Sequence, residues 1–343
     1  MPNSRTRPTG RTRIVPEVDF AKDGRQHGFL RLFHSVHSSA YGFIPIPIVV
    51  LRNGDGPTAL MVSGNHGDEY EGQVALCNLA KSLDPARIRG RVIILPAANF
   101  PAAVAGRRTS PIDEVNLNRS FPGDPDGTVT HQMAYYIEHE LVPLADLVCD
   151  LHSGGSSLMY VPSVQLPGYR RDADMSAPLA MMKAFASPLA YVTEINIGAD
   201  RTLSGGAARQ GVPSLGTELG GSGHVTGAAL RIAERGVNNL LVHLGILPEG
   251  DRIALDGPSR ILEVGGPDYF VYAPENGLYE PLVELGDMVR AGQPAARMHF
   301  PETPWAEPVT ACFLRDGFVL CKRMPGRSMR GDCLFHLGTD LAV

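Results

Sequence analysis

The stretch Ser63-Gly64-Asn65-His66-Gly67-Asp68-Glu69-Tyr70-Glu71-Gly72 lies between a short apolar run, 58–62, and a segment, 69–83, whose Val74, Leu76, Leu79 and Leu83 recur at helical spacing. It reads as the turn from a buried strand into a helix. Outward from it the pattern repeats. Residues 91–95, 146–151, 158–162, 190–195 and 212–219 carry β-like apolar runs, and 130–144, 178–186 and 225–247 carry helical periodicity. Strands alternating with helices predict an α/β domain, a sheet with helices on both faces. Upstream, 27–33 and 43–51 are strand-like, with Pro45 and Pro47 placing the second at an edge or making it irregular. Residues 99–125 show no period and are rich in Arg, Asn, Pro and Gly, which predicts a long functional loop.

Past Leu247-Pro248-Glu249-Gly250 the character changes to Pro, Gly and short β-like runs, which predict a small all-β module. The basic opening, MPNSRTRPTGRTR, predicts a solvated arm. The expected division is a flexible arm over 1–20, the α/β domain over 21–250 and a β domain over 251–343. The 343 residues are 43% hydrophobic and 20% charged, which suits a globular protein and excludes wholesale disorder. No apolar run is long enough for a transmembrane helix, and the N-terminus has no apolar signal core, so a cytoplasmic location is expected and no membrane partner. The net charge is −5 with no basic patch beyond the arm, which argues against nucleic acid as a partner. Five cysteines without a C-x-x-C pair predict free thiols.

Three strand ends carry chemistry. His66 and Glu69, three apart at a helix start, project to one side and offer an imidazole nitrogen and a carboxylate suited to Zn²⁺. Alone, the pair reads first as an N-cap histidine with a glutamate favoured by the helix dipole. His152, in Cys149-Asp150-Leu151-His152-Ser153-Gly154-Gly155, ends a second strand and completes a His₂Glu set, the three protein ligands of a catalytic zinc site. Asp150 shares its strand face and either supports that histidine or pairs with an arginine. Glu218 is a single charge inside an apolar strand ending in Gly220-Gly221; it reads as an exposed edge residue or as a general base. In the unpatterned loop, Arg107-Arg108 and Asn116-Leu117-Asn118-Arg119 suit an anionic substrate.

Taken together, G-N-H-G-D-E at 64–69, N-L-N-R at 116–119, D-L-H at 150–152 and T-E at 217–218 resemble the succinylglutamate desuccinylase/aspartoacylase family, over roughly residues 40–340. The resemblance implies a zinc-carboxypeptidase-like mixed sheet and one Zn²⁺ per chain held by His66, Glu69 and His152. It implies that Glu218 is the base that activates water and then the acid that protonates the leaving amine. Asn118 and Arg119 would hold the substrate α-carboxylate, and Arg108, with Arg107 as competitor, would polarise the scissile carbonyl. It also implies a small N-acyl amino acid substrate and a homodimer.

Within the family, V-D-F-x-K-D-G at 18–24, Q-H-G-F-L at 26–30 and G-N-H-G-D-E-Y-E-G at 64–72 resemble the bacterial N-alpha-acetyl-L-2,4-diaminobutyrate deacetylases of ectoine breakdown. That substrate carries a γ-ammonium, for which Glu194, Asp200 and Asp113 are candidate partners. Arg201 keeps open action on N-succinylglutamate or N-acetylaspartate. A peptidase and a non-catalytic zinc-binding regulator remain as alternatives. Residues 273–294 resemble half of a biotinyl/lipoyl-type β-sandwich. Lys322, the one lysine after residue 250, is not in a carrier setting, so a structural lid or dimer element without attached cofactor is expected.

Overall fold

The computed structural model describes residues 12–194 and 199–341. A long mixed sheet runs in the order Ile14–Pro16, Gly24–Phe33, Phe43–Asn53, Gly90–Leu95, Thr58–Ser63, Leu147–Leu151, Ser214–Glu218, Ser163–Pro167, Leu189–Thr193, Arg260–Val264, Cys333–Asp340, Gly317–Arg323 and Met288–Val289. Thr58–Ser63 and Leu147–Leu151 are buried at every position, as parallel strands covered on both faces must be. Alternate side chains feed two cores. Met61, Cys149 and Leu151 pack with α1 (Tyr70–Ser82), while Leu60, Val62 and Val148 face the opposite side. That opposite side lies beyond α2 (Phe100–Ala105) and is covered by α3 (Val129–Tyr136). Joining α1 on the first face is α4 (Ser176–Ala184), joining α3 on the second is α5 (Leu203–Arg209), and α6 (Gly227–His243) completes the first. The expected α/β domain with helices on both faces is what the chain forms.

Several expectations are corrected in detail. Phe43–Asn53 is a regular strand inside the sheet, not an edge. Its prolines fall where only one neighbour pairs: Arg31 faces Pro45 and Phe29 faces Pro47, whereas the second ladder begins at Val49. The missing N–H groups are therefore not called on by a second strand. The arm is shorter than expected, since Ile14–Pro16 pairs with Leu30–Leu32, and residues 1–11 lie outside the described residues. The loop 99–125 contains α2 and a 3₁₀ turn, Leu117–Arg119. The helix expected over 130–144 is α3 continued by a π turn, Ile137–Leu141, and a 3₁₀ turn, Val142–Leu144. Helix α5 carries Gly205-Gly206, which lowers helix propensity and hid it from a periodicity reading.

The C-terminal residues form the expected β module, including a separate antiparallel sheet of Val309–Cys312, Pro294–His299, Gly277–Pro281 and Arg327–Ser328. The main sheet nevertheless crosses the expected boundary at 250. Arg260–Val264 pairs parallel to Leu189–Thr193, and Leu158–Tyr160 pairs with Gly317–Arg323. A third core joins Leu189 and Tyr191 to Leu262, Phe313 and Phe335. Lys322 lies in mid-strand and its Nζ pairs with Glu284 Oε2 at 2.7 Å.

His336, in the last strand, stacks on Phe270 with ring centroids 4.4 Å apart, and neither ring nitrogen has a partner. Burial pushes its pKa from 6.5 down to about 3. The folded state therefore stays neutral where the unfolded chain binds a proton. This contribution to stability is complete above pH 6.5 and is lost as pH falls toward 3. In His336→Phe, unfolding free energy measured between about pH 4 and 6 falls less steeply with acid, by up to about 1.4 kcal/mol per pH unit.

Candidate active site

The turn after Thr58–Ser63 is shaped by contact with α2. A Cβ at Gly67 would lie 2.0 Å from the Ala102 carbonyl, so only glycine fits there. The Gly67 N–H donates to Arg107 O at 2.8 Å. That bond pins the chain at 107, and the two neighbouring side chains diverge. Arg107 turns outward to Glu114, at 2.7 Å, while Arg108 turns inward, its Nη1 3.4 Å from Glu69 Oε1. Asp68 ties this turn to the loop after His152, accepting from the Ser156 N–H and hydroxyl, both at 2.8 Å.

His66, Glu69 and His152 come together from two strand ends. His66 Nδ1 lies 2.6 Å from Glu69 Oε1, and His152 Nδ1 lies 2.8 Å from Glu69 Oε2. The far nitrogens are held by acceptors: His66 Nε2 by Asn116 Oδ1 at 3.1 Å and His152 Nε2 by Asp150 Oδ2 at 2.8 Å. Acceptors there orient both Nε2 atoms as donors, which turns both Nδ1 atoms toward Glu69, as donors when protonated and as metal ligands when not. One donor atom from each of the three residues falls within 4.8 Å of the others. Two imidazole nitrogens and a carboxylate, with the imidazoles oriented from behind, fit a zinc ion. Asp150 thus supports His152, and it accepts from Asn65 Nδ2 at 2.8 and 2.9 Å. Asn116 and Asn65 stood inside the quoted motifs, but their partners lie on other strands and loops, so spacing carried no signal for them.

The charges in this set answer one another. Burial raises the pKa of Glu69, but His66 and His152 outweigh it and hold the carboxyl well below its ordinary range. Burial lowers the pKa of His66. Burial also opposes the charged form of His152, yet Asp150 and Glu69 raise its pKa well above 6.5. Glu218 sits at the end of the neighbouring strand, and its Oε2 is buried without a hydrogen-bond partner. Burial and the negative charge of Glu69 push its pKa up to about 8.

Asn118 lies against the same set, with Nδ2 3.1 Å from His152 Nε2, and its Oδ1 accepts from Leu203 N–H at 2.9 Å. Arg119 is exposed overall, but the burial of its guanidinium and the charges of Arg108 and Arg201 lower its pKa. Of the three acidic candidates for an amine, Asp113 is committed elsewhere: it accepts from Thr128 Oγ1 and from the N–H and hydroxyl of Thr130 at the start of α3. Glu194 and Asp200 are exposed, and residues 195–198 between them lie outside the described residues.

A model of the Succinylglutamate desuccinylase/Aspartoacylase catalytic domain matches residues 55–244. The chain is 43% identical over 321 residues to the N-alpha-acetyl-L-2,4-diaminobutyric acid deacetylase of Halomonas elongata, covering 94% of this chain and 93% of that one. Among solved structures it resembles the product-bound ectoine utilization protein EutE (DoeB) from Ruegeria pomeroyi, with a TM-score of 0.91, 41% identity and coverage of 96% and 99%. It also resembles a succinylglutamate desuccinylase/aspartoacylase from Rhodobacter sphaeroides, with a TM-score of 0.90, 39% identity and coverage of 97% and 100%. On the strand-end site and on these likenesses, the chain belongs to the succinylglutamate desuccinylase/aspartoacylase family.

Proposed function

We propose that this protein is a zinc-dependent amidohydrolase that converts N-alpha-acetyl-L-2,4-diaminobutyrate to L-2,4-diaminobutyrate and acetate. The observation that carries the reaction class is half-buried Glu218, its Oε2 buried and unpartnered, within electrostatic reach of Glu69 and His152. The substrate follows from the relative that is 43% identical along nearly the whole chain. A zinc ion held by His66, Glu69 and His152 supplies Lewis-acid polarisation of the acyl carbonyl and lowers the pKa of water.

The chain's own residues do the rest. Glu218 takes a proton from the attacking water, whose oxygen adds to the acyl carbon. The C–N bond then breaks, and Glu218 delivers the proton to the departing nitrogen. A pKa near 8 places Glu218 close to working pH for both transfers. Its upward shift rests partly on the charge of Glu69, so with that charge neutralised Glu218 would favour the ionised form that accepts the proton. Arg108, with its side chain 47% exposed toward the site, faces the carbonyl oxygen where negative charge develops. Asn118 and Arg119 hold the α-carboxylate, a role suited to the guanidinium fork.

A second reading has one observation in its favour: Arg201 stands near Arg119 and Arg108, more positive charge than one carboxylate demands. It would make the enzyme an aspartoacylase or desuccinylase acting on N-acetylaspartate or N-succinylglutamate.

Acetate release measured across the three substrates gives the highest kcat/KM on N-alpha-acetyl-L-2,4-diaminobutyrate; preference for either dicarboxylate establishes the second reading instead. Glu218→Gln keeps its zinc but loses about 10²- to 10⁴-fold in kcat. Full activity in that variant overturns the mechanism. Asp150→Asn weakens zinc affinity by about 10- to 100-fold, measured by competition with a chelator.

A further inference from the structure

The sheet face that carries His152 and Glu218 continues one row further from the reacting groups. Asp150, Gly216, Gln165 and Tyr191 are register partners across four adjacent strands, so their side-chain positions share that face. Glu218 is in register with Ser163 in the next row. Gly216 brings no side chain to the row. A Cβ built on it would lie 3.3 Å from Gln165 Oε1, so the carboxamide oxygen lies over the glycine. The other end of the amide is engaged, with Gln165 Nε2 donating to Thr193 Oγ1 at 3.4 Å. The oxygen is therefore presented to this row as an acceptor. Beside it, Ser163 Oγ is buried without a partner.

A side chain in this space meets acceptors, the Gln165 carboxamide oxygen and the Ser163 hydroxyl, with the Asp150 carboxylate in the same row. An ammonium gains hydrogen bonds there, whereas a carboxylate faces a carbonyl oxygen and loses its water shell uncompensated. Asp113, the one non-exposed acid among the candidates named from sequence, is saturated at the start of α3.

We propose that the Gln165 carboxamide oxygen, held over Gly216 and flanked by Ser163, receives the side-chain ammonium of the substrate and sets the preference for a basic over an acidic or apolar amino acid. This rests on the deacetylase reading and deepens it. The arginines take the α-carboxylate, and this row takes the amine.

The test compares kcat/KM for N-alpha-acetyl-L-2,4-diaminobutyrate with that for N-acetyl-L-norvaline, in which a methyl replaces the ammonium. Gln165→Leu lowers this ratio by about 10- to 100-fold. Gln165→Glu, which keeps an acceptor oxygen at the same reach, holds or raises it. A purely structural role for the bond to Thr193 predicts no difference between the two variants in this ratio. A ratio unmoved in both variants overturns the assignment with the deacetylase reading intact. Hydrolysis of neither substrate by the wild type overturns the deacetylase reading itself.

Discussion

One carboxylate organises the site. Glu69 is 3% exposed, and each of its oxygens faces an imidazole on a different loop, His66 on one and His152 on the other. A buried anion of this kind is costly unless cationic or hydrogen-bonding groups surround it. Around Glu69 they are all present: the two imidazoles, the Ser153 N–H at 3.1 Å and the Arg108 guanidinium. The strand ends have to converge on this point. That convergence is secured by polar ties, Asp68 to Ser156 and Thr217 Oγ1 to the His152 backbone at 3.0 Å. Glu218 then sits within electrostatic reach of Glu69, and its proton affinity, raised first by burial, is raised further by the same anion.

The elements read most directly from the sequence are those whose neighbours in the chain are also their neighbours in space. The strand, turn and helix around His66 and Glu69 form one local unit. His152 and Glu218 end runs of five buried or nearly buried residues, where an ionisable group is conspicuous. What stayed hidden depends on contacts between distant segments. Arg107 and Arg108 are interchangeable in a string of letters. One bond from Gly67 to the Arg107 carbonyl separates their directions. Asn116 acts on a histidine fifty positions earlier, and Asp150 is completed by Asn65.

Periodicity also fails where tertiary demands override local preference. Helix α5 is held by Arg209 pairing with the buried Glu138 at 2.7 Å, and its glycines, despite their poor propensity, allow close packing of Gly206 on Glu138 and of Gly205 on the Ala199-Asp200 backbone. The two prolines in Phe43–Asn53 mark an edge over part of a strand only, a distinction that composition alone cannot make. Gln165 offers no ionisable signal at all. Its place emerges from a glycine two residues before Glu218, in register with Gln165 on the next strand.

The ladder between Leu189–Thr193 and Arg260–Val264 has a consequence for modularity. A domain joined by a linker can be gained, lost or shuffled with little effect on its neighbour. Here the second body supplies the next strand of the first body's sheet and covers Tyr191, which is 2% exposed. Cutting the chain at the change of composition would bare a strand edge rich in Leu, Ala, Tyr and Val, the kind of edge that recruits other chains. The change of composition near residue 250 thus falls within a single sheet, to which both parts of the chain contribute strands.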